Sequence, residues 1–433
     1  MVNEDDNMLP FSVLRIWTLG LFSWIVLGAG VYFLYEYADG VSPPPTAEVV
    51  DRESNRLTSA DEPPPADRLE VEPNRAEADR DTQGGWPYLT AGLVLLGFSF
   101  GGFLPVLPFL GKPKLSEPNS ERTGRVQKLD RPDGSRLHVE VYGPENGQTI
   151  VLTHGWSLDS TAWYYLKKQF GDRYRLVVWD LPGLGQSKGP ENNDYRIEKM
   201  ADDLDAVVAA VAGGGKVILV GHSIGGMITQ TFCRLYPAHL RARVQGIVLL
   251  HTTYTNPLRT AWLAPVWTAL EKPVIIPLNH LLIWLAPLAW LSNWQSYLNG
   301  SLHISTRFTS FAGDQTWGQV DYAAKLAVKA WPAVLARGNL AMLGFDEQAT
   351  LPNVDVPILI VGGDHDRMTV RQASDRLDQL AQLSAETTIP AGHLGFWEKN
   401  EQFAEILAEF VSKLENSKLP TKSAETHDRA SIS

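Results

Sequence analysis

The feature that most limits what this chain can become lies between residues 216 and 236. Lys216–Val220 reads KVILV, a continuous apolar run of the kind expected for a strand covered on both faces. Gly221-His222-Ser223-Ile224-Gly225-Gly226 follows at once, and then MITQTFCRLY, which carries a helical period. Gly-x-Ser-x-Gly alone is a weak signal. Between a strand and a helix it sharpens, because so tight a turn admits only glycine two positions before and after the serine, and it throws the hydroxyl outward. A serine hydroxyl is a poor nucleophile until a base takes its proton, and the base needs an acid to orient it.

The surroundings repeat the same grammar. From about Arg125, short β-branched runs alternate with amphipathic helices. Val126–Leu129 and Leu137–Tyr142 flank Asp133-Gly134, a hairpin signal. Thr149–Thr153, Leu176–Trp179, Gly246–Leu250 and Pro357–Val361 are further apolar runs, and a last strand is expected around Glu386–Ile389. Such alternation after an antiparallel start predicts an α/β sheet whose loops at the strand ends carry function. After Pro357–Val361 comes Gly362-Gly363-Asp364-His365-Asp366, and after the last strand comes Ala391-Gly392-His393. The order nucleophile, acid, base is the one this topology uses.

These residues resemble the α/β-hydrolase family, from about residue 125 to residue 415. His154-Gly155-Trp156 is similar to its oxyanion loop, and Asp180-Leu181-Pro182-Gly183-Leu184-Gly185-Gln186-Ser187 to its D-x-x-G-x-G-x-S turn. The family's acid stands three residues after a glycine. Counting from Gly363 gives Asp366, with Asp364 at the variable position, and counting from Gly362 gives His365, which cannot serve. Some members carry the acid after the preceding strand, but His251 to Leu270 contains no carboxylate. The resemblance therefore implies a Ser223–His393–Asp366 triad, glycines Gly221 and Gly225 at the nucleophile elbow, and an oxyanion hole from the backbone N–H groups of Ile224 and Trp156. It also implies a mostly parallel eight-stranded α/β-hydrolase sheet, with a core at 125–251 and 346–415 and a helical cap at 252–345. His154 is expected to shape its loop and Asp180 to satisfy backbone donors in its turn.

The cap sequence bears on substrate. Pro273 to Thr306 contains no Asp, Glu, Lys or Arg, and seven of the 14 tryptophans fall in the cap: Trp262, Trp267, Trp284, Trp290, Trp294, Trp317 and Trp331. Val274–Leu298 is expected to line an apolar acyl pocket. The leading expectation is a lipase- or esterase-like hydrolase acting on a small-molecule ester or lipid. The alternatives are other serine chemistry on the same scaffold (an aminopeptidase, a carbon–carbon bond hydrolase, a cofactor-free peroxidase) and a non-catalytic scaffold, a class that typically loses a triad member.

Ahead of this domain stand two uncharged runs, Ile16–Tyr35 and Trp86–Leu110. Twenty residues of helix cover the roughly 30 Å hydrocarbon core of a bilayer. The leader MVNEDDNMLP is acidic where a signal peptide wants basic residues, so a retained anchor is expected. Two transmembrane helices are thus predicted, within segments 1–35 and 86–110, joined by an acidic, Pro-rich, disordered linker at 36–85. A disordered tail is expected at 416–433. Gly97 and Gly101, four apart, would let another helix approach closely, and Pro105 and Pro108 would bend or end the second helix. Lys112, Lys114, Arg122 and Arg125 after the second run, with Arg15 before the first, predict a multi-pass protein with its catalytic domain on the cytoplasmic side. Removing residues 1–115 is expected to spare turnover of soluble esters.

The net charge of −11 gives no electrostatic footprint for nucleic acid. One cysteine, Cys233, and ten scattered histidines imply neither a disulfide framework nor a metal site. No cofactor is expected.

Overall fold

The structure, a computed structural model, describes residues 12–41, 75–114, 116–212 and 215–416. Eight strands form one sheet in the order β1-β2-β4-β3-β5-β6-β7-β8. β1 (Arg125–Asp130) and β2 (Arg136–Tyr142) form the expected hairpin, whose turn places Gly134 at φ 79°. β2 runs antiparallel to β4 (Arg175–Trp179). β3 (Thr149–Thr153), β5 (Val217–His222), β6 (Val244–Leu250), β7 (Ile358–Gly363) and β8 (Ser384–Ile389) are parallel in turn. The apolar runs behave as their composition requires. All of β3, β5 and β7 is buried, with one apolar cluster on each side of the sheet.

Between β6 and β7 the chain makes the expected cap. Its helices are Ala264–Leu270, Ile276–Trp284, Ala286–Leu298, Ser301–Ser310, Trp317–Lys329 and Pro332–Leu343. Ala264–Trp284 and Ala286–Leu298 meet at 100°. Of the cap tryptophans, Trp267 is buried and Trp284 is 78% exposed.

The chain divides into two compact units. Of the described residues, 12–21 belong with 101–416, and the rest, within Phe22–Phe100, form the other. Helix α1 spans Ser12–Val41, and within it Leu14–Asp39 is long and apolar enough to cross a membrane unaided. The second apolar run is not the single span expected at 86–110. It is broken at Gly102 into Gly85–Gly101 and Phe103–Phe109, which qualify only as a bent pair. The prolines Pro105 and Pro108 follow the break, where a helix lacking their N–H groups cannot continue regularly.

Two boundaries also move. Helix α1 runs to Val41 and helix α2 (Arg75–Gly101) begins at Arg75, so helix covers both ends of the segment read as linker. Its middle, 42–74, lies outside the described residues, as does the tail from 417. The close helix approach is not at Gly97 or Gly101, which have nothing within 4 Å of an added Cβ among the described residues. It is at Gly30 and Gly92, where a Cβ would come to 3.1 Å from Leu96 and 2.6 Å from Leu34.

Candidate active site

Ser223 sits at the junction of β5 and the helix Ile224–Leu235, with φ 54° and ψ −120°. A non-glycine residue held in this region is strained, and a fold tolerates it only where the surroundings over-determine it. Here they do. A Cβ on Gly221 would meet the Gly225 carbonyl oxygen, and one on Gly225 the Thr153 carbonyl oxygen, both at 2.4 Å. Ser223 N–H donates to Leu250 O at 3.0 Å, and the Thr252 hydroxyl donates to Ser223 O at 2.6 Å. The two elbow glycines are thus required by backbone contact.

His393 and Asp366 come together from loops 27 residues apart, with Nδ1 2.8 Å from Asp366 Oδ2. Asp366 is 4% exposed and fixed by three further donors, Met368 N, Thr369 N and the Thr369 hydroxyl, at 2.8, 3.0 and 2.8 Å. Burial pushes its pKa up, but His393 and His251, through charge and hydrogen bonding, more than offset this and leave it far below the usual carboxylate range. An ionised Asp366 can only accept, so Nδ1 of His393 carries the hydrogen and Nε2 is left with its lone pair free to accept a proton. Asp364 is elsewhere: its Oδ1 pairs with Arg371 at 3.2 Å on the surface.

Three residues that local pattern did not single out hold this pair. His251, at the end of β6, is fully buried with Nδ1 3.5 Å from Asp366 Oδ2, and burial lowers its pKa. His222, next to Ser223 in the chain, donates from Nε2 to His393 O at 2.9 Å. Burial, then the neighbouring imidazoles, hold its pKa well below normal, so it stays neutral. Glu398 accepts from Ala312 N, Gly313 N, Asp314 N and Gly392 N, between 2.7 and 3.1 Å, and so ties the His393 loop to the cap.

The His154-Gly155-Trp156 loop follows β3. Leu181 N–H donates to His154 Nε2 at 3.0 Å, so the other ring nitrogen bears the hydrogen and donates to Gly155 O at 2.8 Å. His154 therefore shapes its loop as a neutral side chain, in keeping with the downward pull of burial on its pKa. Asp180 accepts from Ser160 N and Gln186 N at 2.7 and 2.8 Å, which is the turn-satisfying role expected of it. Trp156 is pinned to the cap. Its indole N–H donates to Leu335 O at 3.0 Å, and a Cβ on Gly338 would strike its ring at 2.1 Å. Ile224 opens its helix, where the first N–H groups have no intrahelical acceptor.

Ser223, His393, Gly155 and Trp156 line one cavity of about 130 Å³. Its cap wall is not the one predicted. No residue of 274–298 and none of the seven cap tryptophans contributes. The wall comes from Thr306, Thr309 and Ser310, from Ala323 and Ala327, and from Asn339 and Met342. From the expected stretch, Ile275 and Asn279 line only a neighbouring cavity of about 30 Å³. The apolar cap helices bury their side chains against one another and α1, or leave them exposed, as at Leu288 and Leu291. The basic residues read as a sidedness signal are engaged too. Lys112 pairs with Asp314, Lys114 with Glu117 and Arg125 with Glu145, while Arg122 is sunk among Glu140, Asp159 and Asp180. They are not a free juxtamembrane cluster. Among the described residues no group of three or more His, Cys, Asp or Glu could hold a metal ion.

Residues 148–400 match the family described as alpha/beta hydrolase fold. Among curated relatives, the pimeloyl-[acyl-carrier protein] methyl ester esterase of Aeromonas salmonicida is 24% identical over 276 residues, 64% of this chain and 99% of that protein. The 3-oxoadipate enol-lactonase 1 of Acinetobacter baylyi is 27% identical over 284 residues, 65% of this chain and 95% of its own. Among solved structures, a thermophilic esterase from Thermogutta terrifontis superposes with a TM-score of 0.55 at 22% identity, covering 67% of this chain and 99% of that one.

Proposed function

This chain belongs to the α/β-hydrolase family, and from that premise we propose that it is a serine esterase working through Ser223, His393 and Asp366. The observation that carries the reading is the strained Ser223, at φ 54°, sharing one cavity with a His393 whose Nδ1 is held 2.8 Å from a buried, ionised Asp366. The relatives named as a methyl ester esterase and an enol-lactonase both carry names of ester chemistry, which supports the bond class.

In the proposed reaction Ser223 Oγ attacks the ester carbonyl carbon while its proton passes to His393 Nε2. The tetrahedral oxyanion is met by the N–H groups of Ile224 and Trp156. Collapse breaks the bond to the alkoxy oxygen, which leaves with the proton from His393, and the acyl group stays on Ser223. Water then attacks the acyl carbon, losing a proton to His393, and collapse breaks the bond to Ser223 Oγ, which takes that proton back as the acid departs. Asp366 fixes the tautomer and stabilises the imidazolium at each stage.

In the same reading α1 holds the hydrolase at a membrane, and the broken pair Gly85–Gly101 and Phe103–Phe109 completes a hairpin through the bilayer. Ser223→Ala, assayed against a panel of p-nitrophenyl esters, should lose on the order of 10⁴- to 10⁶-fold in kcat while keeping its thermal midpoint. Near-normal turnover by that variant would sink the proposal.

A further inference from the structure

An arginine at the start of an apolar helix ordinarily extends its head group into the polar layer beside the hydrocarbon. Arg15 does not. It lines the cavity that holds Ser223 and His393, and its Nε is buried without a hydrogen-bond partner among the described residues. The seating of this helical turn accounts for the direction. Ile16 is buried in the hydrolase core, Trp17 Nε1 donates to Leu278 O at 3.4 Å, and a Cβ on Gly20 would come within 2.9 Å of Ser292.

Among the described residues no aspartate or glutamate lines the cavity, and Arg15 is the only lysine or arginine that does. A second polar group there is unmatched. Thr306 is 3% exposed, its side chain lines the same cavity, and its hydroxyl has no hydrogen-bond partner among the described residues. A desolvated cation without a counter-charge is costly, and so is a buried hydroxyl without a partner. An anion entering the cavity would satisfy both, and guanidinium suits carboxylate and phosphate geometry.

We propose that Arg15 is a specificity-determining residue of this site, receiving with Thr306 a carboxylate or phosphate carried by the ester substrate. The proposal rests on the serine-esterase reading above and narrows its substrate class. It also gives the first turns of α1 a role beyond tethering, since they supply the one fixed charge that a substrate meets beside the candidate nucleophile.

The test uses the full chain in detergent micelles and two pairs of esters. One pair is p-nitrophenyl valerate and mono-p-nitrophenyl adipate, which differ by a terminal carboxylate. The other is a diacylglycerol and the phosphatidylglycerol of the same acyl chains, presented in mixed micelles. The anionic member should be preferred, as a ratio of kcat/KM, in at least one pair, and the pair that responds identifies the source of the anion. Arg15→Gln should lower that ratio on the order of 10- to 100-fold, mainly through KM. Arg15→Lys should restore part of it, and Thr306→Val should lower it by less. A ratio unmoved by Arg15→Gln in both pairs, with all turnover lost in Ser223→Ala, overturns the anion site alone. Turnover surviving Ser223→Ala overturns the reading beneath it. Should Arg15→Gln fail to fold, the unaltered chain decides: an alkyl fluorophosphonate with a terminal carboxylate should modify it faster than the uncharged probe, and equal or slower modification overturns the proposal.

Discussion

Asp364 and Asp366 stand two residues apart, and only their surroundings separate a surface carboxylate from one buried against His393. Asp366→Asn presents an amide to the imidazole and favours the wrong tautomer, so kcat should fall by about 10⁴-fold, whereas Asp364→Asn should leave it within a few-fold. Steady-state kinetics of the two variants checks this, and the reverse ranking would move the acid. The candidate residues Ser223, Asp366 and His393 could be picked out of the sequence because each lies in a short loop directly after a strand, where the neighbouring glycines mark it. His251, Glu398 and Arg15 could not. His251 and Arg15 reach the site from distant stretches of chain, and Glu398, though close to His393, acts by collecting backbone N–H groups from the cap loop 84 to 86 residues earlier, so none leaves a local signature. His251 did occupy a strand end facing the same loops, which is the signal that could have drawn attention to it.

At the scale of elements the strands were legible nearly to the residue, since a sheet covered on both faces demands uninterrupted apolar runs. The cap was legible as an insertion but not as a wall. Its apolar stretch 274–298 was assigned to substrate, whereas the faces of three later helices line the cavity. Composition reports that a helix will bury a face and does not report against what. The same ambiguity misplaced the helix contact at Gly97 and Gly101 instead of Gly30 and Gly92. On β8, burial and then Asp375 and Asp378 raise the Glu386 carboxyl from its ordinary 4.5 to about 7. A carboxyl with a raised folded-state pKa binds its proton more tightly when folded. Its contribution therefore favours the native state below about pH 4.5 and is lost as the pH rises through about 7. Glu386→Gln should flatten the fall in thermal midpoint between about pH 5 and pH 8. An unchanged profile would show that Glu386 ionises freely in the fold.

The whole molecule departs most from its sequence in the way the N-terminal helix is shared. The hydrophobic run announced an anchor, and an anchor alone could be removed without harm. Instead residues 12–21 fall in the same compact unit as the hydrolase, with Ile16 buried there. Removing residues 1–100 should therefore lower the thermal midpoint of the remaining domain and its turnover of soluble esters, because burial is lost and the cavity loses a wall. Unchanged midpoint and turnover would reduce α1 to a tether. All of this depends on one covalent event at one side chain. The most direct measurement treats the full chain in micelles with a fluorophosphonate and locates the adduct by peptide mass spectrometry. A single adduct on Ser223, abolished in Ser223→Ala and slowed by orders of magnitude in His393→Ala, is the predicted result. An adduct on another residue, or labelling that persists without Ser223, would contradict the account.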